Sequence, residues 1–274
     1  MDTYTEVMDV ESLAARITDG AKVAVFKENA SPMDLTRAMI RRGVRDLHIV
    51  TVPTSGLQTE LLIAAGCVAT VETSGVTLGE FGLAPAFVRA VSNGDITIKD
   101  ATCPAIYTQI QAGEKGIPFM PMWGLIGSDI LANRPDFKVI DNPYEPGTPI
   151  VALPAIKPDV TILHAPFADK YGNVWIGQLA ELRAMAHASK TCLATVEEIV
   201  DFNLLDDEKH AAGTIPSFYV TALAEARNGA WPLAVPGCYD IDGDHIANYR
   251  RMAGTQAGIS DYLARHVHAV EAAE

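Results

Sequence analysis

Residues 159–177 read DVTILHAPFADKYGNVWIG. The run opens with Val160, Thr161, Ile162 and Leu163, apolar or β-branched residues that suit a strand buried on both faces of a parallel sheet. Directly behind them stand His164, Asp169 and the turn pair Gly172-Asn173. Ligands of open α/β sheets bind beyond the carboxyl ends of the strands. The polar groups behind this run are therefore the first place to look for chemistry, although a strand followed by an ordinary turn explains the same residues.

Toward the N-terminus the same unit repeats. Strands are expected over Lys22–Lys27, Asp46–Val52, Val68–Thr73 and Ile96–Ala101. Each is followed by a polar or glycine turn and a helix: Asp34–Arg42, Leu57–Ala65, Leu83–Val91 and Pro104–Lys115. Gly43, Gly66, Gly94 and Gly116 close these helices, since glycine takes the left-handed position that ends a helix. Strand–turn–helix–stop, four times over, is the signature of βαβ units on a parallel sheet. The fold class is α/β, an open parallel sheet with helices on both faces. A short helix over Glu11–Thr18 precedes it.

Residues 117–156 are less regular. Ile117–Trp123 carries too many prolines for a central strand, Gly124–Leu131 enters a short helix, and Lys138–Ile140 with Ile150–Ala155 suggests a hairpin. After the opening strand come a helix over Ala180–Ala188 and a strand over Cys192–Val196. Residues 206–216 read as a surface loop, Phe218–Leu223 as a last strand, and about Asp244–Val270 as one or two helices around Gly254. No composition break marks a linker, so residues 1–274 are expected to form a single domain.

With 49% hydrophobic and 20% charged residues the balance is globular. The formal net charge of −13 argues against a nucleic-acid partner. No apolar run approaches the roughly 20 residues of a membrane span, and the acidic N-terminus does not read as a signal peptide. Cys67, Cys103, Cys192 and Cys238 are scattered without a CxxC pair. Reduced thiols, a cytoplasmic location and no metal site follow as expectations.

Several blocks, in order along the chain, carry a resemblance: Ala112–Pro121 (AGEKGIPFMP), Lys138–Pro143 with Pro146-Gly147, Asp159–His164 with Tyr171–Val174, Thr195–Ile199 (TVEEI) and Pro236–Tyr239. Together they resemble the A (alpha) subunit of family I coenzyme A transferases, the alpha subunit of glutaconate CoA-transferase in particular, with its NagB/RpiA-like open sheet. The resemblance implies a partner, the B (beta) subunit, in a heterodimer or an α2β2 heterotetramer with the active site between them. It implies acyl-CoA and a carboxylic acid as substrates, coenzyme A being a substrate and no metal taking part. A glutamate of the B half attacks the thioester and becomes a glutamyl-CoA, which splits one hard exchange into two easier ones. That glutamate follows the B half's second strand. The matching turn here is Pro53-Thr54-Ser55-Gly56, so Thr54 stands in its place and this chain is expected not to carry the nucleophile.

Two departures from the family matter. The Gly-rich loop after the first strand reads Phe26–Ser31 here, without glycine, so contacts made at Asn29 must differ. The place where many members put an oxyanion-binding glutamine or glutamate is Cys103, and a thiol is a poor donor. One alternative is therefore one subunit of a hydrolase of the same fold that cleaves a C–C bond in a steroid-ring-derived acyl-CoA. Another is a non-catalytic scaffold that completes its partner's pocket. Cys103 reads as a pocket-lining residue, or as a thiolate activated by a helix N-terminus. Glu72 is the fallback carboxylate nucleophile, or else a polar strand-end residue. Ser74, Gly75 and Ser128 are candidate donors to a substrate. His164 is a candidate site residue that reads more readily as a hydrogen-bonded structural histidine than as a base. Glu197-Glu198 read as structural or at the subunit contact.

Overall fold

The computed structural model describes residues 5–27 and 29–269; Val270, the end of the expected tail helix, lies outside them. In chain order the elements are β1 (Glu6–Val7), α1 (Val10–Ala14), β2 (Lys22–Phe26), α2 (Met33–Arg42), β3 (Leu47–Val52), α3 (Leu57–Ala64), β4 (Val68–Thr73), α4 (Pro85–Asn93), β5 (Thr97–Asp100) and α5 (Cys103–Glu114). An excursion follows: β6 (Phe119–Met122), α6 (Ile130–Asn133), β7 (Lys138–Asp141) and β8 (Pro149–Pro154). The chain then runs through β9 (Val160–Asp169), β10 (Val174–Trp175), α7 (Ala180–Ala188), β11 (Thr191–Val200), β12 (Thr214–Ile215), β13 (Ala222–Glu225), α8 (Gly243–Met252) and α9 (Gln256–Leu263).

The main sheet has the order β1-β13-β11-β9-β2-β3-β4-β5, with every neighbouring pair parallel. From β2 the chain winds one way to β5, and from β9 the other way to β13. The topological switch point is thus between β2 and β9, where the carboxyl ends of the two strands open a crevice. Alternation along the strands feeds two cores. On β2, Val23 and Val25 face the core shared with α1–α4, α8 and α9. Ala24 and Phe26 face the core shared with α5, α7 and the excursion. The excursion is a three-stranded antiparallel sheet, β6-β8-β7. Its proline-rich β6 lies at the edge, where Pro121 removes no central ladder bond.

Three sequence expectations are corrected. β9 does not stop at Leu163 but runs on to Asp169, so His164 lies inside the strand. β11 likewise extends to Val200 and contains Glu197 and Glu198. Polar residues persist in both strands because they face each other in register: Thr195 is opposite His164, and Thr195 Oγ1 lies 2.7 Å from His164 Nδ1. The last strand expected over Phe218–Leu223 exists but starts and ends later; a 3₁₀ turn over Ser217–Tyr219 delays β13 to Ala222–Glu225. The turn after β9 is built as its residues suggest. Asp169 Oδ1 accepts from the N–H groups of Tyr171 and Asn173, and Oδ2 from Asn173 Nδ2 and the Leu204 N–H. Gly172 (φ 86°) admits no side chain there, because a Cβ would stand 2.3 Å from Thr5 Oγ1.

Candidate active site

The candidate site lies along the carboxyl edge of the main sheet. At the switch point β2 and β9 pair only through Val23↔Val160 and Ala24↔Thr161. Beyond these pairs the loop after β2 fills the gap, and the Ala30 carbonyl accepts the His164 N–H at 2.9 Å. Ala30 holds φ 62° without being glycine, a left-handed position that costs an L-residue about 1–2 kcal/mol. Such strain recurs at functional sites. Asn29, next to it, is exposed.

His164 is fully buried. Its Nε2 lies 2.7 Å from Glu197 Oε1, so the ring donates from Nε2 to the carboxylate and, when neutral, accepts at Nδ1 from the Thr195 hydroxyl. Glu197 Oε1 also accepts from Tyr239 OH at 2.6 Å and the Gly229 N–H at 3.2 Å, and Oε2 accepts from the Asn228 N–H at 2.6 Å. Burial favours the neutral acid, but the bonds from His164, Tyr239 and Asn228 outweigh it and hold Glu197 below the usual glutamate range. Tyr239 OH in turn accepts the Ala230 N–H. One carboxylate thereby ties the loop carrying Asn228–Tyr239 to the switch point. Gly229 is required at this joint: a Cβ would stand 2.6 Å from the Ala226 carbonyl and 2.7 Å from His164 Cε1. Sequence reasoning marks His164, TVEEI and PGCY separately. Their meeting is visible only in the fold, because 33 residues separate His164 from Glu197.

On the other side of the switch point, the ends of β3 and β4 carry a hydroxyl cluster. Thr51 and Thr73 hydroxyls are 2.7 Å apart, and the Gly75 N–H donates to Thr73 Oγ1. Ser74 Oγ donates to the Pro53 carbonyl at 2.7 Å and lies 3.1 Å from Cys103 Sγ. Cys103 is exposed at the first position of α5, behind the N-cap Thr102. The structure thus brings Ser74 and Cys103 together. Ser74 and Gly75, the expected donors, already donate within the protein. Thr54 is half-buried in the turn after β3. Ser128 closes its own turn by donating to the Leu125 carbonyl and touches none of the other candidates.

Glu72 does not face the cleft. It is buried, with Arg134 Nη2 2.6 Å from Oε1 and His48 Nε2 3.3 Å from Oε2. Burial pushes it toward the neutral acid, yet His48, Arg134 and Lys99 together hold its pKa below the ordinary value. Arg134 is itself buried, bonded also to Asp136 and the Asp100 carbonyl, and it depresses Asp136 to about 2. A carboxylate held so by a buried guanidinium is a poor nucleophile. Among the described residues no group of three His, Cys, Asp or Glu side chains could hold a metal, and no helix is long and apolar enough to cross a membrane.

The family described as Coenzyme A transferase matches residues 7–226, and the chain belongs to it. It is 31% identical to the A subunit of 3-oxoadipate CoA-transferase of Pseudomonas knackmussii, over 85% of this chain and 82% of that protein. It is 29% identical to the A subunit of glutaconate CoA-transferase of Acidaminococcus fermentans, over 90% and 82%. A crystal structure of glutaconate coenzyme A-transferase from the latter organism superposes with a TM-score of 0.89 at 26% identity, covering 97% of this chain and 90% of that one. A structure of the decarboxylase AibA/AibB superposes at 0.84 with 28% identity, over 96% and 100%. An uncharacterized protein of Archaeoglobus fulgidus is 34% identical over 95% of this chain, which spans 58% of that relative's length. A cholesterol ring-cleaving hydrolase IpdA subunit of Rhodococcus jostii is 24% identical over 88% of this chain and 83% of that protein.

Proposed function

We propose that this chain is the alpha subunit of a two-chain coenzyme A transferase, in which a beta subunit supplies the nucleophilic glutamate. What carries this reading is the match to the family together with Thr54 at the turn after β3, where a self-sufficient half would carry the glutamate. In the proposed reaction the partner's carboxylate attacks the acyl-CoA carbonyl and CoA leaves as thiolate. The thiolate then attacks the enzyme's carbonyl in the mixed anhydride, releasing the first acid and leaving glutamyl-CoA. The second acid reverses the two steps. This chain contributes one wall: Asn29 beside the strained Ala30, Cys103 against Ser74, and the loop anchored by Glu197. His164 acts through that loop and through the floor of the crevice. Gly75 and Ser128 contribute backbone shape rather than free donors.

The same proposal takes the chain as one structural unit in an αβ pair or its α2β2 double. It also places the chain in the cytoplasm, in keeping with four free cysteines. Two of these are inert by burial, Cys67 pushed up to about 11 and Cys192 to about 12. The second reading, hydrolysis, rests on Cys103 in place of an amide donor. One fold hosts several reactions, and the decarboxylase and hydrolase relatives illustrate this.

Incubating the purified two-chain complex with an acyl-CoA and an isotopically labelled carboxylate separates the readings. Transfer gives labelled acyl-CoA with no net loss of thioester. Free CoA accumulating without labelled thioester would instead indicate hydrolysis.

A further inference from the structure

A cavity of about 400 Å³ opens at the switch point, within the size range of small-molecule sites. His164 and Ala30 lie at its floor, and Pro166, Trp175, Ile176, Leu179, Leu182 and Val235 form most of its wall. Among the described residues no Lys, Arg, Asp or Glu side chain lines it. The one side chain of the floor that could pair with a carboxylate, His164, already has both ring nitrogens engaged by Thr195 and Glu197. Trp175 is held in place by stacking on Phe167, with centroids 4.9 Å apart. The wall is therefore preorganised and neutral, and it opens where an open α/β sheet binds its ligand.

We infer that this cavity receives the acyl chain of the acyl-CoA, and that it selects an uncharged aliphatic or ring acyl group over one ending in a carboxylate. The inference rests on the proposed CoA-transferase reading and names the substrate class of that same site. Glutaconate and 3-oxoadipate, which appear in the names of two relatives, are dicarboxylates, and such a ligand would bring a second carboxylate needing a cationic or donor partner. Among the described residues this wall offers no cation; its neutral donors are the Trp175 indole and the amide of Gln178, which is exposed to water, and neither supplies the charge that would offset a buried carboxylate. Burying an unpaired carboxylate is strongly unfavourable, whereas each methylene placed in an apolar pocket improves discrimination roughly 10-fold or more.

The test compares hexanoyl-CoA with glutaryl-CoA on the two-chain complex, in the native form and as Leu179→Arg. Leu179→Met serves as the control for packing. Native complex is expected to favour hexanoyl-CoA in kcat/KM by at least about 10-fold, and Leu179→Arg to erase or invert the preference while Leu179→Met keeps it. Equal or greater use of glutaryl-CoA by the native complex overturns the inference and leaves the transferase reading standing. Should neither thioester exchange, the transferase reading fails, and calorimetric binding decides the cavity separately. Hexanoyl-CoA binding at least about 10-fold tighter than free CoA or glutaryl-CoA, lost in Leu179→Arg, supports it. Equal affinity for all three overturns it.

Discussion

Replacing Arg134 by methionine removes the positive charge that holds Glu72 and Asp136. Arg134 and Glu72 side chains are 1% and 2% exposed, and their closest atoms are 2.6 Å apart. The methionine fills much of the space but leaves a buried carboxylate whose remaining partners are His48 at 3.3 Å and the charge of Lys99. Breaking a buried pair by removing one partner costs about 3–5 kcal/mol, a large share of the 5–15 kcal/mol that ordinarily separates native from unfolded. For a domain of this size each kcal/mol lowers Tm by roughly 2–4 °C, so a drop on the order of 6–20 °C is expected. Urea unfolding followed by circular dichroism should show the midpoint falling with an unchanged slope. Adding Glu72→Gln to Arg134→Met should recover part of the loss, because the amide no longer carries an unpaired charge. A loss below about 1 kcal/mol for Arg134→Met, or a double variant less stable than the single, would refute the reading of Glu72 as a structural carboxylate.

Glu197→Ala leaves His164, Tyr239 and two backbone N–H groups without their acceptor and should lower stability by roughly 2–4 kcal/mol. Glu197→Gln should cost less, measured in the same urea titration. Gly229→Ala should destabilise by about 1–3 kcal/mol, since both close neighbours of the new Cβ are held in place; a stability within error of wild type would contradict the packing described. Stability should also fall on acidification. Glu72, Glu197 and Asp136 have lowered pKa values in the folded chain. Each therefore contributes stability that is present above its unfolded pKa, 4.5 for the glutamates and 3.8 for the aspartate, and is lost as pH falls through the folded value, about 2 for Asp136. In Glu197→Gln the decline below pH 4.5 should be shallower; an identical pH profile would remove Glu197 from the explanation.

Where strands are apolar and helices end at glycine, the sequence reading follows the structure closely: β4 begins and ends at the expected residues, and α2 stops at Arg42 before the left-handed Gly43. Those boundaries are local, set by apolar runs and by residues that stop a helix. The lengths of β9 and β11 are not local. Each continues through polar residues whose hydrogen bonds come from the other strand or from the loop 226–239, and nothing near His164 in the chain announces Glu197. The same blindness explains Glu72. A carboxylate at the end of a strand reads as facing a cleft until Arg134, 62 residues away, is seen to cover it. Ser74 and Gly75 are legible as residues at a strand end, but only the fold reveals that their donors are already engaged.

In the proposed mechanism the covalent intermediate forms on the partner subunit and not on this chain. Incubating the two-chain complex with acyl-CoA, reducing with borohydride and locating the modified residue by peptide mass spectrometry tests it directly. The expected result is a reduced glutamyl residue on the partner subunit, with every carboxylate of this chain, Glu72 included, unmodified. Modification of Glu72, or of any other residue of this chain, would contradict it.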